Sequence, residues 1–556
     1  MLVDYFHSVG ADVGYHIPSR REEGYGMSRG AIDKLHSCGV NLIITVDNGI
    51  SAADEISYCS ELGIDVIVTD HHIPPETVPK CTAVVCHTVS NSQYPNSILC
   101  GAGIAFKLLH ALAGLEAAMQ YVSLAGLASV ADVVPLLDEN RVFVKLGLDE
   151  INNGNCCNGL YRLLNGVPTA RRPYNACTLG FAVAPRLNAS GRMSDASLGV
   201  ELFLCRDPNR ADEIIARLNK LNELRQQDEA NILNDAIRRL EPCDLSDTRA
   251  IVLRSETWNA GVIGIAASRI AEMYHRPTIL FSESDGILKG SARSIDGVNI
   301  HEVLCCCREF FVRFGGHAKA AGITMESAFF EDFRLKLNAC LKTGYDDSVF
   351  IPCKRYEFDI PLEQVTGELI AELTRLAPFG ESNPSPVFRS RHVAVSRLRR
   401  FGSDAQHTKM DVSPSISSSA APLDAVWFAS AASYYRLLNA DTVDMLYTPG
   451  INNWNGFDSI QLRVVSAKEI RRRLEGDMPD HGVVSALLFL LQFYENGAIH
   501  RLSPYKICAI ELAALAMYNH NNKYASTIDN AEKAAKTEYD RCVFSLNPIT
   551  YLLKIC

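Results

Sequence analysis

Two neighbouring strand-like segments, each ending in acidic or imidazole side chains, constrain the fold of this chain more than any other feature. Residues 41–46 form an apolar, largely β-branched run that ends in Asp47-Asn48-Gly49, and residues 64–68 form a second run that ends in Thr69-Asp70-His71-His72. The composition of residues 52–62, between the two runs, predicts a helix. Strand, helix and strand predict a right-handed parallel crossover, so both polar ends emerge at one rim of the same sheet.

The side chains at this rim are those of a metal site. Asp47, Asp70 and His71, with Asp132 in a further apolar segment, offer carboxylate oxygens and an imidazole nitrogen. Carboxylates suit hard divalent cations, and an added imidazole shifts the preference toward manganese. Paired metals cleave phosphoesters by activating water and holding both reacting oxygens. In the alternative interpretation Asp70 caps a turn and the histidines are incidental, which the position of Asp47 disfavours.

Length and composition describe a large soluble protein. A chain of 556 residues predicts three or four domains. The net charge of −10 argues against binding polyanions over the whole surface, although a local basic groove remains compatible with it. Because the first residues are polar and no apolar run is long enough to span a bilayer, we expect a cytoplasmic protein without a signal peptide or membrane segment. In that compartment its 18 cysteines would be reduced.

Two segments in the middle of the chain carry residues suited to phosphate. Gly315-Gly316-His317 precedes what the pattern indicates is a short helix, whose N-terminal amides could hold a phosphate beside the imidazole. Ser291 and Arg293 lie two residues apart on a predicted strand and therefore share a face. The alternatives are a tight loop with an exposed histidine and an ordinary surface strand end.

Arg186 and Arg192 form a third candidate. They lie on either side of Asn188 and Ser190 in a segment that also contains a glycine. Arginine suits bidentate contact with phosphate. The segment could equally be a helix cap formed by Asn188 or Ser190.

After about residue 355 the pattern changes to short strands. Five are predicted, at 393–398, 408–412, 425–428, 443–447 and 460–465. Five short strands indicate a small barrel, of which the OB-fold is one. Within it, residues 389–409 carry six basic side chains against one acid, Asp404. Phe401 and His407 interleave with this run, and such a combination binds single-stranded nucleic acid. The basic residues are Arg389, Arg391, Arg397, Arg399, Arg400 and Lys409. The alternative is a solvated charged face.

Taken in order, these motifs resemble the RecJ-type exonucleases of the DHH phosphoesterase superfamily, from about residue 2 to about residue 470. The matching segments include 46–50, 69–72, 131–136, 185–192, 261–269, 290–294, 315–317 and 376–380. The resemblance implies an α/β fold with a parallel-sheet DHH domain, a long linking helix, a smaller α/β DHH-associated domain and an OB-fold.

We place these domains at 1–204 (DHH), 205–241 (connecting helix), 242–350 (DHH-associated) and 351–470 (OB-fold). The composition of 471–556 predicts a separate helical module.

The resemblance also implies roles for individual residues. The intact family site is expected to hold two manganese or magnesium ions, and Asp47, His71 and Asp132 would be ligands in this chain. Asp70 and His72 would orient water, substrate or the ligands, and His317 would contact the scissile phosphate. The residues expected to bind substrate are Arg20, Arg186, Arg192, Ser291, Arg293, Gly315, Gly316, Arg397, Arg399 and Arg400.

Two departures from the family pattern affect these expectations. Family members carry an Asp-x-Asp-x-Asp-Gly motif on their first strand, whereas this sequence opens with Met1-Leu2-Val3-Asp4, which corresponds to the helix after that motif. We therefore expect an N-terminally shortened family member with fewer metal-binding carboxylates. A second departure is the segment Val85-Cys86-His87-Thr88, where relatives usually carry Asn-Pro after this strand.

The resulting hypothesis is a single-stranded-DNA-specific 5′→3′ exonuclease of DNA repair and recombination. Its partners would be single-stranded DNA and, as candidates, a single-strand-binding protein or a helicase. Two alternatives stay open: a DHH phosphodiesterase acting on short oligonucleotides or cyclic dinucleotides, and a catalytically inactive DNA-binding fragment.

Overall fold

The structure is a computed structural model and describes most of the first 470 residues. The described ranges are 1–18, 26–168, 170–193, 196–402, 405–415, 421–430, 433–438, 440, 442–454 and 457–470. They form two compact units, Met1–Arg355 with Glu372–Ser385, and Tyr356–Ala371 with the described part of Pro386–Cys556. Arg20 and the helical module predicted at 471–556 lie outside the described residues.

The first unit begins with the predicted parallel sheet. Its strands are β1 (Leu42–Val46), β2 (Asp65–Thr69) and β3 (Ala83–Val85), hydrogen-bonded in that order and all parallel. Its first helices are α1 (Leu2–Ser8), α2 (Arg29–Ser37) and α3 (Ala53–Glu61). The β-branched strand residues pack against α2 and α3 in a buried aliphatic cluster. This packing fixes the strand ends, and with them Asp47 and Asp70, at one rim.

Helices make up the rest of this half of the unit. They are α4 (Gly101–Met119), α5 (Val122–Ala131), α6 (Asp138–Asn153), α7 (Asn158–Asn165), a π-helical segment Thr178–Val183, α8 (Ala184–Met193) and α9 (Ser197–Leu204). Of the described helices, α4 alone is long and apolar enough to cross a membrane by length and composition. Ile104, Phe106 and Leu109 of α4 are buried against Val122 and Phe143, as in the core helix of a folded domain.

One long helix, α10 (Pro208–Leu240), leads to the second sheet. It lies where the sequence predicts a connecting helix. Asp207 caps it by accepting a hydrogen bond from the Asn209 amide at 3.0 Å, and Pro208 occupies the first turn, where no amide donor is needed.

The second sheet has five strands in the order β4-β5-β6-β8-β7. They are β4 (Ile251–Ser255), β5 (Thr278–Ser284), β6 (Ile287–Arg293), β7 (Phe311–Gly316) and β8 (Ala320–Glu326), accompanied by α11 (Ile263–Tyr274), α12 (Ile300–Cys305) and α13 (Phe330–Gly344). The helix predicted after Gly315-Gly316-His317 is wrong. That segment is the β7–β8 hairpin, in which the His317 amide donates to the Ala320 carbonyl at 2.8 Å. Strand pairing prevails here because Phe314 and Ile323 pair directly between the strands, with Ile323 buried.

The second unit consists mainly of antiparallel strands. They are β9 (Phe358–Asp359), β10 (Phe388–Phe401), β11 (His407–Ser413), β12 (Leu423–Trp427), β13 (Thr442–Trp454) and β14 (Phe457–Ile470), and the last two helices of the described chain are α14 (Gly367–Thr374) and α15 (Tyr434–Leu438). Pairing runs from β10 through β11, β12, β14 and β13 back to β10. All five predicted strands are present, and most are longer than predicted because they continue through polar residues on their exposed faces.

Candidate metal centre and strand-binding residues

His71 lies between two carboxylates at the rim of the first sheet. Its Nε2 is 2.9 Å from Oδ1 of Asp47 and 3.8 Å from Oδ2 of Asp132. Burial favours the neutral imidazole, but the hydrogen bond to Asp47 and the nearby carboxylate charges outweigh burial and raise the pKa of His71. Burial also raises the pKa of the Asp132 carboxyl, His71 opposes this rise, and the charge of Asp47 adds to it. The two acids thus share a site where a bound cation would relieve their repulsion.

Asp70 is turned inward and holds the turn after β2. Its Oδ1 accepts hydrogen bonds from the His71 amide at 2.7 Å, the His72 amide at 3.2 Å and His72 Nδ1 at 2.7 Å, while its Oδ2 accepts from the Ile50 amide at 3.0 Å. The side chain is almost fully buried. Burial alone would raise its pKa, yet these hydrogen bonds outweigh burial and lower the pKa of Asp70. An ionised carboxylate that accepts four hydrogen bonds positions the two histidines and has little capacity left for a metal.

Two ligand-bearing turns have unusual backbone geometry. Asp47 has φ 67° and Val133, directly after Asp132, has φ 57°. Aspartate tolerates the left-handed region, but a β-branched valine there is strained by roughly 1–3 kcal/mol. The end of β1 behind the Asp47 turn is joined to the end of β2, since Thr69 Oγ1 donates to the Thr45 carbonyl at 2.6 Å. Strained backbone conformations that the surrounding structure maintains are common at sites where a side chain must have a fixed orientation.

Gly101 is a positioning residue that the sequence analysis did not identify. It begins α4, and a β-carbon at this position would lie 2.5 Å from the Asp47 Cβ and 2.8 Å from its Cα. The start of α4 therefore packs directly on the backbone of a candidate ligand, and the positive end of the helix dipole faces a carboxylate. The glycine at the helix start is a signal for a close contact, but it does not indicate that the partner is Asp47.

The donor set fits a divalent metal ion. Asp47, His71 and His72 each place a ligand atom within 4.8 Å of the other two, and Asp132 adds an oxygen beside His71. Mixed oxygen and nitrogen donors are those that manganese prefers, and the carboxylates alone would suit magnesium. The structure thus brings together the three predicted ligands. It also places a ligand atom of His72, predicted only to orient other groups, where it could bind the same metal ion.

His317 lies exposed in the turn of the β7–β8 hairpin, near enough to His71 and His72 for their charges to act on it. Burial lowers the pKa of His317, and the nearby charges of His72, His301 and His71 lower it further. A neutral imidazole can donate one hydrogen bond and accept another. The predicted phosphate contact for His317 is therefore compatible with its position, although no helix N-terminus accompanies it.

Ser291 and Arg293 share a face of β6, as predicted. Nη1 of Arg293 donates to Ser291 Oγ at 2.8 Å, and a β-carbon on Gly264 at the start of α11 would lie 2.8 Å from both side chains. Burial lowers the pKa of the Arg293 guanidinium. Among the described residues no carboxylate pairs with Arg293, so this half-buried cation is available to an anionic ligand.

Arg186 and Arg192 have internal partners. Arg186 donates to Asn219 of α10 and to the Ala182 carbonyl, and Nη1 of Arg192 donates to the Gly261 carbonyl at 3.0 Å. Asn188 and Ser190 lie in the interior of α8, not at its start. The alternative that one of them caps a helix is therefore wrong. These bonds connect α8 to α10 and to the start of α11. Substrate contact by either arginine stays a prediction.

In the second unit the predicted basic surface is largely neutralised. Arg389 and Arg391 both pair with Asp359, Arg397 pairs with Asp411, and Lys409 pairs with Asp424 at 2.8 Å. Arg400 stacks on Tyr434 with its guanidinium 4.7 Å from the ring centroid. The exposed Arg399 forms no described ion pair. The counter-charges Asp359, Asp411 and Asp424 all lie outside residues 389–409 and reach the basic side chains through strand pairing, so the local charge balance did not reveal them.

An aromatic cluster forms instead at one end of this strand ring. Phe401, His407 and Phe428 pack edge to face with centroid separations of 5.1–6.1 Å, and Arg463 lies 5.5 Å above the Phe428 ring. Phe428 is 47% exposed. Phe401 and His407 were predicted from the sequence, whereas Phe428 and Arg463 were not. We call these four residues the aromatic cluster.

Comparisons with protein-family models agree with this architecture. The DHH family N-terminal domain matches residues 1–131, the DHHA1 domain matches 247–343 and the RecJ OB domain matches 356–466. Each match falls within the corresponding range predicted from the sequence. The exact domain boundaries stay predictions.

Characterised relatives match over most of the chain. The single-stranded-DNA-specific exonuclease RecJ of Bacillus subtilis is 36% identical over 469 residues, which are 84% of this chain but 59% of that protein. The RecJ of Haemophilus influenzae is 33% identical over 474 residues, 82% of each chain. The crystal structure of Thermus thermophilus RecJ in complex with Mn²⁺ superposes with a TM-score of 0.70 at 29% identity, covering 88% of this chain and 70% of that one. The chain thus spans about three fifths of the Bacillus protein.

Proposed function

Because the chain belongs to the RecJ family of single-stranded-DNA-specific exonucleases, we propose that it is a metal-dependent 5′→3′ exonuclease acting on single-stranded DNA. The family resemblance inferred from the motifs is thereby confirmed. The observation that carries the proposed activity is the placement of His71 between Asp47 and Asp132, above a buried Asp70 that fixes the turn.

In this proposal Asp47, His71 and Asp132 would hold the divalent metal, with His72 in reach of it. Bound divalent cations supply Lewis acidity and neutralise negative charge on the phosphodiester. Asp70 keeps His72 in one tautomer and orientation by accepting its Nδ1 hydrogen. His317 donates a hydrogen bond to an oxygen of the scissile phosphate, and Arg293 with Ser291 holds the terminal phosphate.

The second unit would hold the rest of the strand by stacking. The aromatic cluster offers an exposed ring face and an adjacent arginine, a pairing that binds bases without sequence preference. Arg399 would add a phosphate contact, whereas the neutralised Arg397 would contribute less than the sequence analysis expected. A single-strand-binding protein or a helicase as partner, and a cytoplasmic location, also remain part of the proposal.

Replacing Phe428 with Ala should weaken single-stranded DNA binding roughly tenfold, because base stacking on one ring contributes about 1–3 kcal/mol. Fluorescence anisotropy with a labelled oligothymidine in EDTA measures this affinity without cleavage. Phe457→Ala is the matched control, since Phe457 is 79% exposed on the β13–β14 hairpin and makes no described ring contact. Equal losses in both variants would exclude a specific stacking role for the aromatic cluster.

The rival function is hydrolysis of cyclic dinucleotides or very short oligonucleotides. The proposed exonuclease should hydrolyse long single strands with higher kcat/KM than dinucleotides, release mononucleotides and leave duplex DNA intact. Chromatography of products from these substrates in Mn²⁺ separates the two functions. Cyclic dinucleotide turnover without digestion of long strands would favour the rival.

A further inference from the structure

The β7–β8 part of the second sheet has an open face of bare backbone. Gly315 of β7 and Gly322 of β8 are direct cross-strand partners, and both are exposed. A β-carbon built on either glycine would meet no heavy atom within 4 Å. Open space therefore lies above this pair, over a flat floor of main chain.

Strand register shows which side chains share this face. Ser291 of β6 pairs with Gly322, so Ser291, Gly322 and Gly315 form one row that points to the same side. The next row on the same side lies two residues further along each strand. In it, Lys289 of β6 and Arg313 of β7 both pair with Thr324 of β8. We call Lys289, Thr324 and Arg313 the cationic row. It lies roughly 7 Å from the Ser291 row, as two strand residues span that distance.

Both cations of this row are available. Lys289 and Arg313 are exposed, and within the described part of the chain neither forms an ion pair, a hydrogen bond or a ring contact. One acid shares the face, the exposed Glu326 of β8, which lies a further row away from Ser291. On a chain with a net charge of −10, two unpaired cations on an open sheet face indicate an anionic ligand.

We propose that the cationic row is a second phosphate-binding subsite, where Lys289 and Arg313 contact a backbone phosphate of the DNA strand other than the scissile one. The strand would lie across the Gly315–Gly322 floor, which has no side chain to obstruct it. The subsite lies on the same sheet face as Ser291. The identification of DNA as its ligand therefore rests on the proposed function. Thr324 between the cations can donate a hydrogen bond to the same phosphate.

The variant Lys289→Gln/Arg313→Gln tests this subsite. We expect roughly tenfold weaker binding of a 5′-phosphorylated oligothymidine of about 12 nucleotides, and a salt dependence of log K whose slope is smaller by about 0.7, since the contact with one backbone phosphate is lost. The probe is measured by anisotropy in EDTA at several salt concentrations. Thermal unfolding of each variant verifies that it is folded.

The control variant Arg308→Gln/Lys354→Gln removes the same charge from the same unit. Arg308 stacks on Phe314, which points to the opposite face of β7, and Lys354 lies outside the sheet. Binding and salt slope should match those of the wild-type protein. Equal losses in both double variants, or no change in the Lys289/Arg313 variant, would overturn the proposal.

A second substrate separates this inference from the proposed function. A 5′-phosphorylated dinucleotide contains one phosphodiester, so its KM should be unchanged in the Lys289/Arg313 variant while the KM for the long strand rises. If the wild-type protein binds the long strand but cleaves neither substrate, the proposed activity fails. The binding comparison then still decides whether the cationic row contacts DNA.

Discussion

Asp70→Asn should lower the metal-dependent kcat/KM on single-stranded DNA by about 10²-fold or more, because residues that orient metal ligands and reacting groups contribute effects of this size. The carboxylate accepts hydrogen bonds at both oxygens, from Ile50 on one side and from the His71–His72 turn on the other. The side-chain amide introduced by Asp70→Asn would turn its NH₂ group toward one of these two sets of N–H donors. Those donors would then lack an acceptor, which costs about 1–3 kcal/mol in a buried site.

Asp65→Asn is the matched control for this substitution. Asp65 begins the same strand, β2, and its exposed Oδ1 accepts a hydrogen bond from Thr82 at 2.8 Å. The variant Asp65→Asn should retain wild-type activity, since Asp65 lies at the end of β2 that is remote from the metal centre. Steady-state kinetics in Mn²⁺ measures both variants, and a modest effect of Asp70→Asn equal to that of Asp65→Asn would refute the positioning role.

Gly101→Ala should weaken Mn²⁺ binding by about 10- to 100-fold, the range seen when the support of a metal ligand is lost. The added methyl would lie 2.6 Å from Asp47 Oδ1 and 2.8 Å from its Cα, so rotation of the Asp47 side chain alone cannot relieve the clash. Either α4 or the turn at Asp47 must move. Such overpacking also lowers the free energy of unfolding by about 1–3 kcal/mol.

Gly103→Ala provides the comparison for Gly101→Ala. A β-carbon there would lie 3.5 Å from Leu99, an ordinary contact, and alanine has the higher helix propensity. Mn²⁺ titration followed by electron paramagnetic resonance should give wild-type affinity for Gly103→Ala. Unchanged affinity in both variants would show that Gly101 does not position Asp47.

The metal centre was predictable because its geometry follows from local patterns. β-branched runs ending in Asp47 and in Asp70-His71-His72, with a helix between them, place these side chains at one rim whatever the rest of the chain does. Gly101 was not predictable in the same way. Its contact with Asp47 joins residues 54 positions apart, and nothing near Gly101 in the sequence indicates what packs against it.

Long-range pairing also explains the errors in the second half of the chain. The β7–β8 hairpin replaced a predicted helix because Phe314 and Ile323 pair across the strands, which local composition did not reveal. The basic surface of the second unit was overestimated because Asp359 pairs with Arg389 and Arg391 from 30 and 32 positions away. Local motifs therefore predicted which residues carry chemistry better than they predicted which charges remain unpaired.

Digestion of 5′-phosphorylated single-stranded DNA labelled at its 3′ end tests the central claim most directly. With Mn²⁺, the labelled strand should shorten progressively from its 5′ end, and EDTA or Asp70→Ala should abolish the shortening. A 3′-labelled strand that stays intact in Mn²⁺ while remaining bound to the protein would contradict the proposed activity and favour an inactive DNA-binding protein.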